Sequence, residues 1–557
     1  MRKSAIYWIM TFSLVLFGPK LWAQSPVIFF SDLDGGPASG GENNNGAFVT
    51  IYGNNFGGTQ GASTVTVGGG AVNNYRIWSN TKVVVQIGAN ARSGNIIAIV
   101  NGQASNGVPF IVRSGNIFFV SNSASASDNN NGSFASPWKT IPKAKNTIAA
   151  GDIAYVMNGV SQTGVDDHDA SLDVAEAGTA GNPKALVAYP GATATIGSGS
   201  GQEFGLRTPQ ISGGPFSNWT IAGFVIRGNN EGIDLEQVDH WRIIGNDISV
   251  PSPNGGGPTA VVEVSESTNV AFLGNNIHDS GAGDTKLYHS LYFTSDSNQI
   301  EVGWNTIQNN KTCRGIQFHS TFLGGNTGLN QHDLSVHDNL IHGQICDGIN
   351  FATIDPSKGP VLAFNNIVYN VGLGPDPTDG SSDYACFLSA GITNNGPAGT
   401  GTAQVFNNTF YDCGHCATTG NCDTSATGSV SVQSGSPIIN LVNNIMDAPI
   451  SKETYITTNS STGLMTSANN LFFGAGIGPL SFLGDITGDP TFISPAVGNF
   501  RLGTGSAAIS KGAVQPVVAA RDFDGNPRPP TGSDVGAFQS VNVTLPNPPT
   551  GLKAVAK

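Results

Sequence analysis

The sequence predicts an all-β protein in which a β-sandwich is followed by a parallel β-helix, a single-stranded solenoid. Two short motifs recur together roughly every 25–34 residues between about residues 230 and 445, and self-similarity at a fixed period indicates a solenoid. Residues 25–113 instead contain alternating strands separated by glycine-rich turns, as in a sandwich. The composition agrees, because the 557 residues include 74 glycines and only 11% charged residues, which suits many tight turns.

Residues 1–23 have the pattern of a secretory signal peptide. A basic start at Arg2 and Lys3 is followed by an apolar run over residues 5–18 and by the small residue Ala23, where we expect cleavage. The apolar run is too short for the span of a mature membrane protein, and no later segment is long enough. We therefore expect a secreted monomer without a membrane span. The formal net charge of −13 argues against nucleic acid as a partner.

The strands of the sandwich are expected at residues 48–51, 64–67, 82–87, 96–100 and 110–112. The segment Val49-Thr-Ile-Tyr-Gly-Asn-Asn-Phe-Gly57, followed by Val65-Thr-Val-Gly-Gly69, resembles the IPT/TIG family of immunoglobulin-like domains. The resemblance covers residues 25–113. It implies a spacer or binding module and no catalytic residues.

Each repeat of the solenoid contains a corner and a strand. The corner has an asparagine followed two residues later by isoleucine or a similar residue, and stacked asparagines there would bond to each other and to the backbone: Asn246, Asn275, Asn305, Asn339, Asn365, Asn407 and Asn443. The four-residue strand has inward-facing apolar residues at its second and fourth positions, and its copies begin at Gly232, Val261, Ser290, Gly315 and Gly348. Equivalent residues of successive coils would lie about 4.8 Å apart.

Residues 116–540 resemble the pectate-lyase-like right-handed β-helix proteins at both ends. The opening match includes Ile117-Phe-Phe-Val120 and Pro137-Trp-Lys-Thr-Ile141. Residues 141–148 would form a helix that caps the first coil, because an open coil end exposes core and strand edges. The closing match includes Gly488-Asp-Pro-Thr-Phe492 and residues 522–538, which leaves residues 541–557 as a linker or tail.

Two of the six cysteines occupy the same position in neighbouring coils. Cys313 precedes an Arg-Gly-Ile sequence and Cys346 precedes Asp-Gly-Ile, so their stacked Cα atoms would lie within disulfide range. We therefore predict a Cys313–Cys346 bridge. Three further cysteines lie in one loop with His415, where a local disulfide is favoured over a zinc site: Cys413, Cys416 and Cys422.

The outward-facing rows of the repeat strands contain the candidate site. One row is formed by Asp234, Glu263, Tyr292, Gln317 and Asn350. The row two residues later contains Glu236 and His319, and the row that enters the strands contains Glu231, His289, Arg314 and Asp347. Lys286 and Lys311 lie in the loops that lead into the same strands. Charged and aromatic residues together on one sheet favour a functional groove over an ordinary solvated face.

The resemblance to the β-helix superfamily implies that such a groove binds a polysaccharide. β-Elimination of a uronate needs a base and a group that neutralises the carboxylate, and Arg314 stays charged and can bind bidentately. The predicted catalytic residues are Arg314, His289, Lys286, Lys311, His319 and Tyr292, and the predicted substrate-binding residues are Gln317, Asn350, Asp347 and Glu231. Calcium is the expected cofactor at Asp234, Glu236 and Glu263, since hard cations take oxygen ligands.

Two alternatives to a polysaccharide lyase stay open. Glycoside hydrolysis would use paired carboxylates, for which Asp234 and Glu263 lie one coil apart. The acidic sequence Asp166-Asp167 offers a second pair, but it is more typical of a solvated turn or a calcium loop. The third possibility is a non-catalytic glycan-binding or surface protein, because fold does not determine function. Of the three, we favour β-elimination of a uronate polysaccharide.

Overall fold

The structure is a computed structural model that describes most of the chain from residue 24 to residue 540. The described ranges are 24–209, 214–252, 260–281, 287–320, 331–374, 384–390, 400–414, 427–449, 453–458, 464–476, 485–513 and 519–540. The predicted signal peptide and the predicted tail lie outside them, as do Lys286, His415, Cys416 and Cys422.

The predicted amino-terminal sandwich is confirmed. One sheet has the strand order Val27–Ser31, Phe48–Asn54, Lys82–Gln86, Asn74–Trp78. The second contains Gly35–Gly36, Val108–Val112, Gly94–Val100, Thr64–Val67, Gly70–Ala71 and Gln103–Ala104, and a short 3-10 helix spans Glu42–Asn44. The alternating residues predicted by the sequence form one buried cluster, in which Phe56, Val65 and Ile96 are fully buried.

The remainder forms the predicted right-handed parallel β-helix with three long sheets. Sheet 1 contains Ile117–Val120, Ile153–Val156, Lys184–Ala188, Phe216–Ala222, Val238–Ile244, Thr268–Leu273, Asn298–Gly303, Leu334–His337, Val361–Phe364, Thr402–Phe406, Ile438–Val442 and Met465–Ala468. Sheet 2 contains Ser161–Gln162, Thr195–Ile196, Val225–Arg227, Asp247–Ser249, Asn276–His278, Thr306–Gln308, Leu340–His342, Ile367–Val371, Thr409–Cys413, Ile445–Ala448, Leu471–Gly474 and Ile486–Thr487. Sheet 3 contains Ala170–Asp173, Phe204–Arg207, Glu231–Glu236, Ala260–Ser265, His289–Thr294, Ile316–His319, Ile349–Phe351, Ala385–Ser389, Gly428–Val432 and Ile456–Thr458.

The interior is a continuous apolar column, as the repeat strands predict. Side chains one coil apart stack on each other, for example Phe293 on Phe318 with ring centroids 4.8 Å apart. The first coil is capped by the predicted helix, which spans Ile141–Thr147. Thr140 caps this helix by accepting a hydrogen bond from the Lys143 N–H, and Ile141 and Ala144 are buried against the column. The cap thereby covers apolar residues that an open end would expose.

The asparagine ladder exists, but its predicted register is wrong in the later coils. Side-chain hydrogen bonds of 2.9–3.1 Å connect consecutive members of the ladder, which are Asn246, Asn275, Asn305, Asn339, Asn366, Asn408, Asn444 and Asn470. Asn365, Asn407 and Asn443 instead lie one residue earlier, at positive φ. Each ladder amide also donates to a main-chain carbonyl of the preceding coil, as the Asn339 Nδ2 does to the Val302 carbonyl at 2.9 Å.

The predicted disulfide between Cys313 and Cys346 is confirmed, with Cα atoms 4.6 Å apart. A second disulfide joins Cys386 and Cys413. The expected local disulfide of Cys413 within its own loop is therefore wrong, because Cys413 lies at the end of a sheet 2 strand and reaches across to sheet 3.

Two of the three sheets are covered on their outward sides. The sandwich packs on sheet 1 in one apolar cluster, and the Tyr155 hydroxyl donates to the Phe48 carbonyl at 2.7 Å. The carboxyl-terminal segment, with strands Phe492–Ser494 and Asn499–Leu502 and a 3-10 helix at Pro495–Val497, packs on sheet 2 through Phe500. In the described ranges neither segment forms such a cluster with sheet 3.

Within the described ranges, the structure contains no helix with the length and apolar character needed to cross a membrane.

Candidate functional site

The outward row of sheet 3 has the register that the repeats predict. Main-chain pairing places Asp234 opposite Glu263, Glu263 opposite Tyr292, Tyr292 opposite Gln317, and Gln317 opposite Asn350. Two residues that the sequence analysis missed extend this row at the other end, since Asp173 pairs with Arg207 and Arg207 with Asp234. A continuous row of polar groups therefore runs along seven coils.

An aromatic cluster lies at the middle of the row. The ring of Tyr292 contacts His289 edge-on with centroids 5.1 Å apart. On its other side it is roughly parallel to His319, and the Tyr292 hydroxyl lies 3.3 Å from the His319 Nδ1. Tyr292 and His289 are buried, whereas His319 is only partly buried. The phenol and the more accessible imidazole are thus placed for proton transfer between them.

Both imidazoles are neutral at ordinary pH. Burial, together with the positive charge of Arg314, lowers the pKa of His319 to about 4. Burial also holds the pKa of His289 well below its usual range, with further lowering by Arg314 and His319. A neutral imidazole can accept a proton, so His319 has the protonation state that a general base requires.

Arg314 forms an ion pair with Asp347 on the next coil, with its Nε 2.9 Å from the Asp347 Oδ2. Asp347 is fully buried and also accepts a hydrogen bond from the Ala385 N–H at 2.9 Å. Burial raises the pKa of the Asp347 carboxyl, and Arg314 opposes that rise. Asp347 therefore holds the guanidinium in place, and its predicted role in substrate binding stays a prediction.

The amides of Gln317 and Asn350 continue the row beyond Tyr292. Gln317 is 3% exposed and Asn350 is fully buried. The Gln317 Oε1 and both polar atoms of the Asn350 amide form no hydrogen bond within the protein. An unpaired buried polar group costs free energy, so a ligand that reached these amides would supply the missing hydrogen-bond partners. Their role in substrate binding stays a prediction.

Carboxylates occupy the opposite side of Tyr292. We call Asp234, Glu236 and Glu263 the acidic patch; in it, Asp234 forms an ion pair with Arg207 at 3.2 Å. Burial raises the pKa of Glu263 to about 8 and that of Asp234 to about 6, and their neighbouring carboxylates raise both further. Among the described residues, no three metal-ligating side chains are arranged to hold an ion, so calcium at the acidic patch stays a prediction.

The remaining predicted residues lie further from Tyr292. Lys311 is exposed in the loop before Arg314, and Lys286 lies outside the described residues. Glu231 is buried at the start of the strand that carries Asp234, two coils from His289. Asp166 pairs with Lys145 at 2.9 Å beneath the cap helix, which gives this acidic loop a structural role.

One family model and several solved structures match parts of the chain. The IPT/TIG domain family matches residues 36–112. No curated protein matches the chain. Among solved structures, the chain is similar to the pectate lyase Pel9A at 13% identity and TM-score 0.39, over 76% of this chain and 96% of that one. It is also similar to a rhamnogalacturonan lyase at 14% identity and TM-score 0.36, over 67% of this chain and 84% of that one. A third similar structure is XylC in complex with xylose, at 9% identity and TM-score 0.40, over 76% of this chain and 98% of that one.

Proposed function

We propose that this protein is an exported polysaccharide lyase that cleaves a uronate-containing chain by β-elimination on sheet 3. The observation that carries the proposal is the contact between the neutral imidazole of His319 and the hydroxyl of Tyr292. Arg314 lies close enough for its charge to lower the pKa of His319. Export is supported by the two disulfides, because such bonds persist in oxidising compartments.

The groups of the site match the needs of the reaction. Arg314 and the amides of Gln317 and Asn350 would bind the uronate carboxylate, which makes the proton on the adjacent carbon more acidic. His319 would take that proton. The electrons of the broken C–H bond form the new carbon–carbon double bond. The bond between the neighbouring carbon and the glycosidic oxygen breaks at the same time, and its electron pair leaves on the oxygen.

Tyr292 would donate its hydroxyl proton to the departing oxygen, which leaves as a neutral sugar hydroxyl. Transfer of a proton from His319 to Tyr292 across their 3.3 Å contact would restore both groups for the next turnover. Calcium held by the acidic patch would add positive charge beside this site.

The test is the ultraviolet absorbance of the unsaturated uronate product over a panel of polygalacturonate, alginate, hyaluronan and chondroitin, with calcium and with a chelator. We expect one of these polymers to give product. His319→Gln and Tyr292→Phe should each lower turnover at least about a hundredfold, the usual contribution of a general acid or base. His240→Gln is the matched control, because His240 is exposed and lies on a strand of sheet 1, not of sheet 3. Unchanged turnover in both site variants would refute the assignment.

A glycoside hydrolase is the second candidate, favoured by one observation. Asp234 and Glu263 are main-chain partners on adjacent coils, which suits the short carboxyl separation of a double-displacement hydrolase. A hydrolase would release reducing ends without an unsaturated product, and Glu263→Gln would abolish that release. Reducing ends that form together with ultraviolet absorbance would exclude this alternative.

A further inference from the structure

One outward row of sheet 1 is largely apolar. Main-chain pairing aligns its members coil by coil, and they are Ala222, Ile244, Leu273, Gly303, His337, Phe364, Phe406 and Val442. The sandwich covers the first three, which belong to its buried apolar cluster. The carboxyl-terminal segment covers the last two, because Phe406 and Val442 form a buried cluster with Ala519. The middle of the row therefore lies between two separate covers.

A cavity of about 470 Å³ occupies the space between these covers. Its walls come from the first strand of the sandwich, from sheet 1 and from the carboxyl-terminal segment, and they include the rings of Phe29, Trp304, Phe364 and Phe406. Phe29 stacks on Trp304 with ring centroids 5.6 Å apart, and Phe364 stacks on Phe406 at 5.0 Å. Phe29, Trp304 and Phe364 are only partly buried, so they keep apolar surface for a ligand. The volume suits a small molecule, since such sites typically measure about 300–1,000 Å³ and favour domain interfaces.

Neither of the two carboxyl groups on the walls of the cavity is an isolated charge. Burial lowers the pKa of His337, but its hydrogen bonds with Asp338 and Glu301 raise that pKa to about 9. The imidazole is therefore protonated at neutral pH and lies directly beside the carboxylate of Asp338. Burial raises the pKa of Asp522 to about 6, and the charge of Arg528, which lies nearby, opposes this rise.

Arg521 supplies a positive charge at the opening of the cavity. This residue is exposed, and its Nη1 donates to the Gly525 carbonyl at 2.8 Å. Within the described ranges its guanidinium forms no ion pair, unlike that of Arg501 in the same segment, which pairs with Asp524. Arg521 also lines a second and more polar cleft of about 630 Å³. The guanidinium thus lies where the apolar cavity meets a polar one.

We propose that this cavity is a ligand site for an apolar molecule that bears one carboxylate. The apolar body would lie against Phe29, Trp304 and Phe364, and the carboxylate would bind the guanidinium of Arg521, which can hold it bidentately. Fatty acids and aromatic acids share this chemistry. The site lies on sheet 1 and uses none of the sheet 3 residues, so it is independent of the proposed lyase function.

The experiment measures binding to the full mature protein by isothermal titration calorimetry, with decanoate and cinnamate as probes. Each carboxylate is compared with its amine, decylamine or cinnamylamine, which has a similar apolar body and the opposite charge. We expect at least one carboxylate to bind one molecule per chain, at least about tenfold more tightly than its amine. Binding of decanoate alone would indicate a fatty acid, and binding of cinnamate alone an aromatic acid. Binding of neither, or equal binding of acid and amine, would overturn the proposal.

Two variants test the location of the site. Arg521→Gln should weaken carboxylate binding at least about tenfold, because it removes the charge at the opening. Leu362→Trp should abolish binding, because Leu362 lines the cavity and is only partly buried, so a larger side chain there fills the space. Arg92→Gln is the matched control, since Arg92 is an exposed arginine of the sandwich that also donates to main-chain carbonyls. Unchanged affinity in either folded site variant would overturn the proposal.

Discussion

The disulfide between Cys313 and Cys346 joins adjacent coils one residue before Arg314 and Asp347, which pair with each other at 2.9 Å. The covalent bond and the ion pair therefore hold the same two strand entrances in register. The bridge closes a loop of 33 residues and so reduces the chain entropy of the unfolded state, which stabilises the fold by about 3–4 kcal/mol.

Replacement of Cys313 and Cys346 by serine should lower both stability and turnover. We expect the free energy of unfolding in guanidinium to fall by about 3 kcal/mol, and turnover to fall about tenfold because Arg314 loses its fixed position. Serine at Cys386 and Cys413 is the matched comparison, since that disulfide spans 27 residues but is not adjacent to Arg314. A similar loss of turnover in both pairs would contradict the local effect on Arg314.

Asp347→Asn should destabilise the protein strongly. Asp347 is fully buried, and removal of its charge leaves the Arg314 guanidinium without the carboxylate that neutralises it, which typically costs about 3–5 kcal/mol. We expect a lower denaturation midpoint and a large loss of turnover. Asp355→Asn is the control, because its partner Lys358, 3.8 Å away, is 43% exposed. The amide oxygen of asparagine can still accept the hydrogen bonds from Ser357 and Thr400, so the loss should stay below about 1 kcal/mol. Equal effects of the two substitutions would show that the buried pair has no special role.

The asparagine ladder shows how far the sequence determines the fold. The period and the corner residue are visible in the sequence, but two adjacent asparagines leave the register open by one residue. The structure fixes this register, because the residue before each ladder position has positive φ: Gly245, Gly274, Trp304, Asp338, Asn365, Asn407, Asn443 and Asn469. Asparagine tolerates this conformation as glycine does, so the first asparagine of each later pair takes the turn position.

The site was predictable to the extent that its strands fit the repeat. Tyr292, His319, Arg314 and Asp347 follow from the register alone. Arg207 did not, because its strand continues with Thr208 where the pattern requires an apolar residue. Asp173 lies in Ser-Leu-Asp-Val, which has apolar residues at its second and fourth positions as the repeat strand requires, so the sequence did contain a signal for Asp173. The pairing of Arg314 with Asp347 and the proton state of His319 depend on burial, which short motifs do not show.

The activity should decline at low pH through the titration of His319. Turnover is expected to fall as the pH falls through about 4, the pKa to which burial and Arg314 lower this imidazole, because a protonated imidazole cannot act as a base. A pH profile of kcat/KM measures this limb. A limb near the ordinary histidine pKa of about 6.5 would contradict the burial of the group in the working enzyme.

The lowered pKa of His319 should also make the free energy of unfolding depend on pH. The unfolded chain binds a proton at His319 below about pH 6.5, whereas the folded protein binds it only below about pH 4. The contribution of His319 to stability is therefore fully present above pH 6.5 and is lost as the pH falls from 6.5 through 4. The change is on the order of 2–3 kcal/mol. Urea titrations of the wild type and of His319→Gln over this range should show a smaller loss in the variant. Parallel pH curves would contradict the shift.

Asn275→Ala should destabilise the β-helix far more than Asn276→Ala, the substitution of the next residue. Asn275 is 1% exposed; its Oδ1 accepts from the Asn246 main-chain N–H at 2.9 Å and its Nδ2 donates to the Ile243 carbonyl at 2.9 Å. Alanine leaves these buried groups unpaired, at a cost of about 1–3 kcal/mol each, so we expect a total loss of about 3 kcal/mol or more. Asn276 faces outward and bonds to Asp247 at 3.2 Å, where water can replace the lost bond, so its loss should stay below about 1 kcal/mol. Guanidinium denaturation of both variants measures the difference, and equal midpoints would show that the ladder does not stabilise the fold.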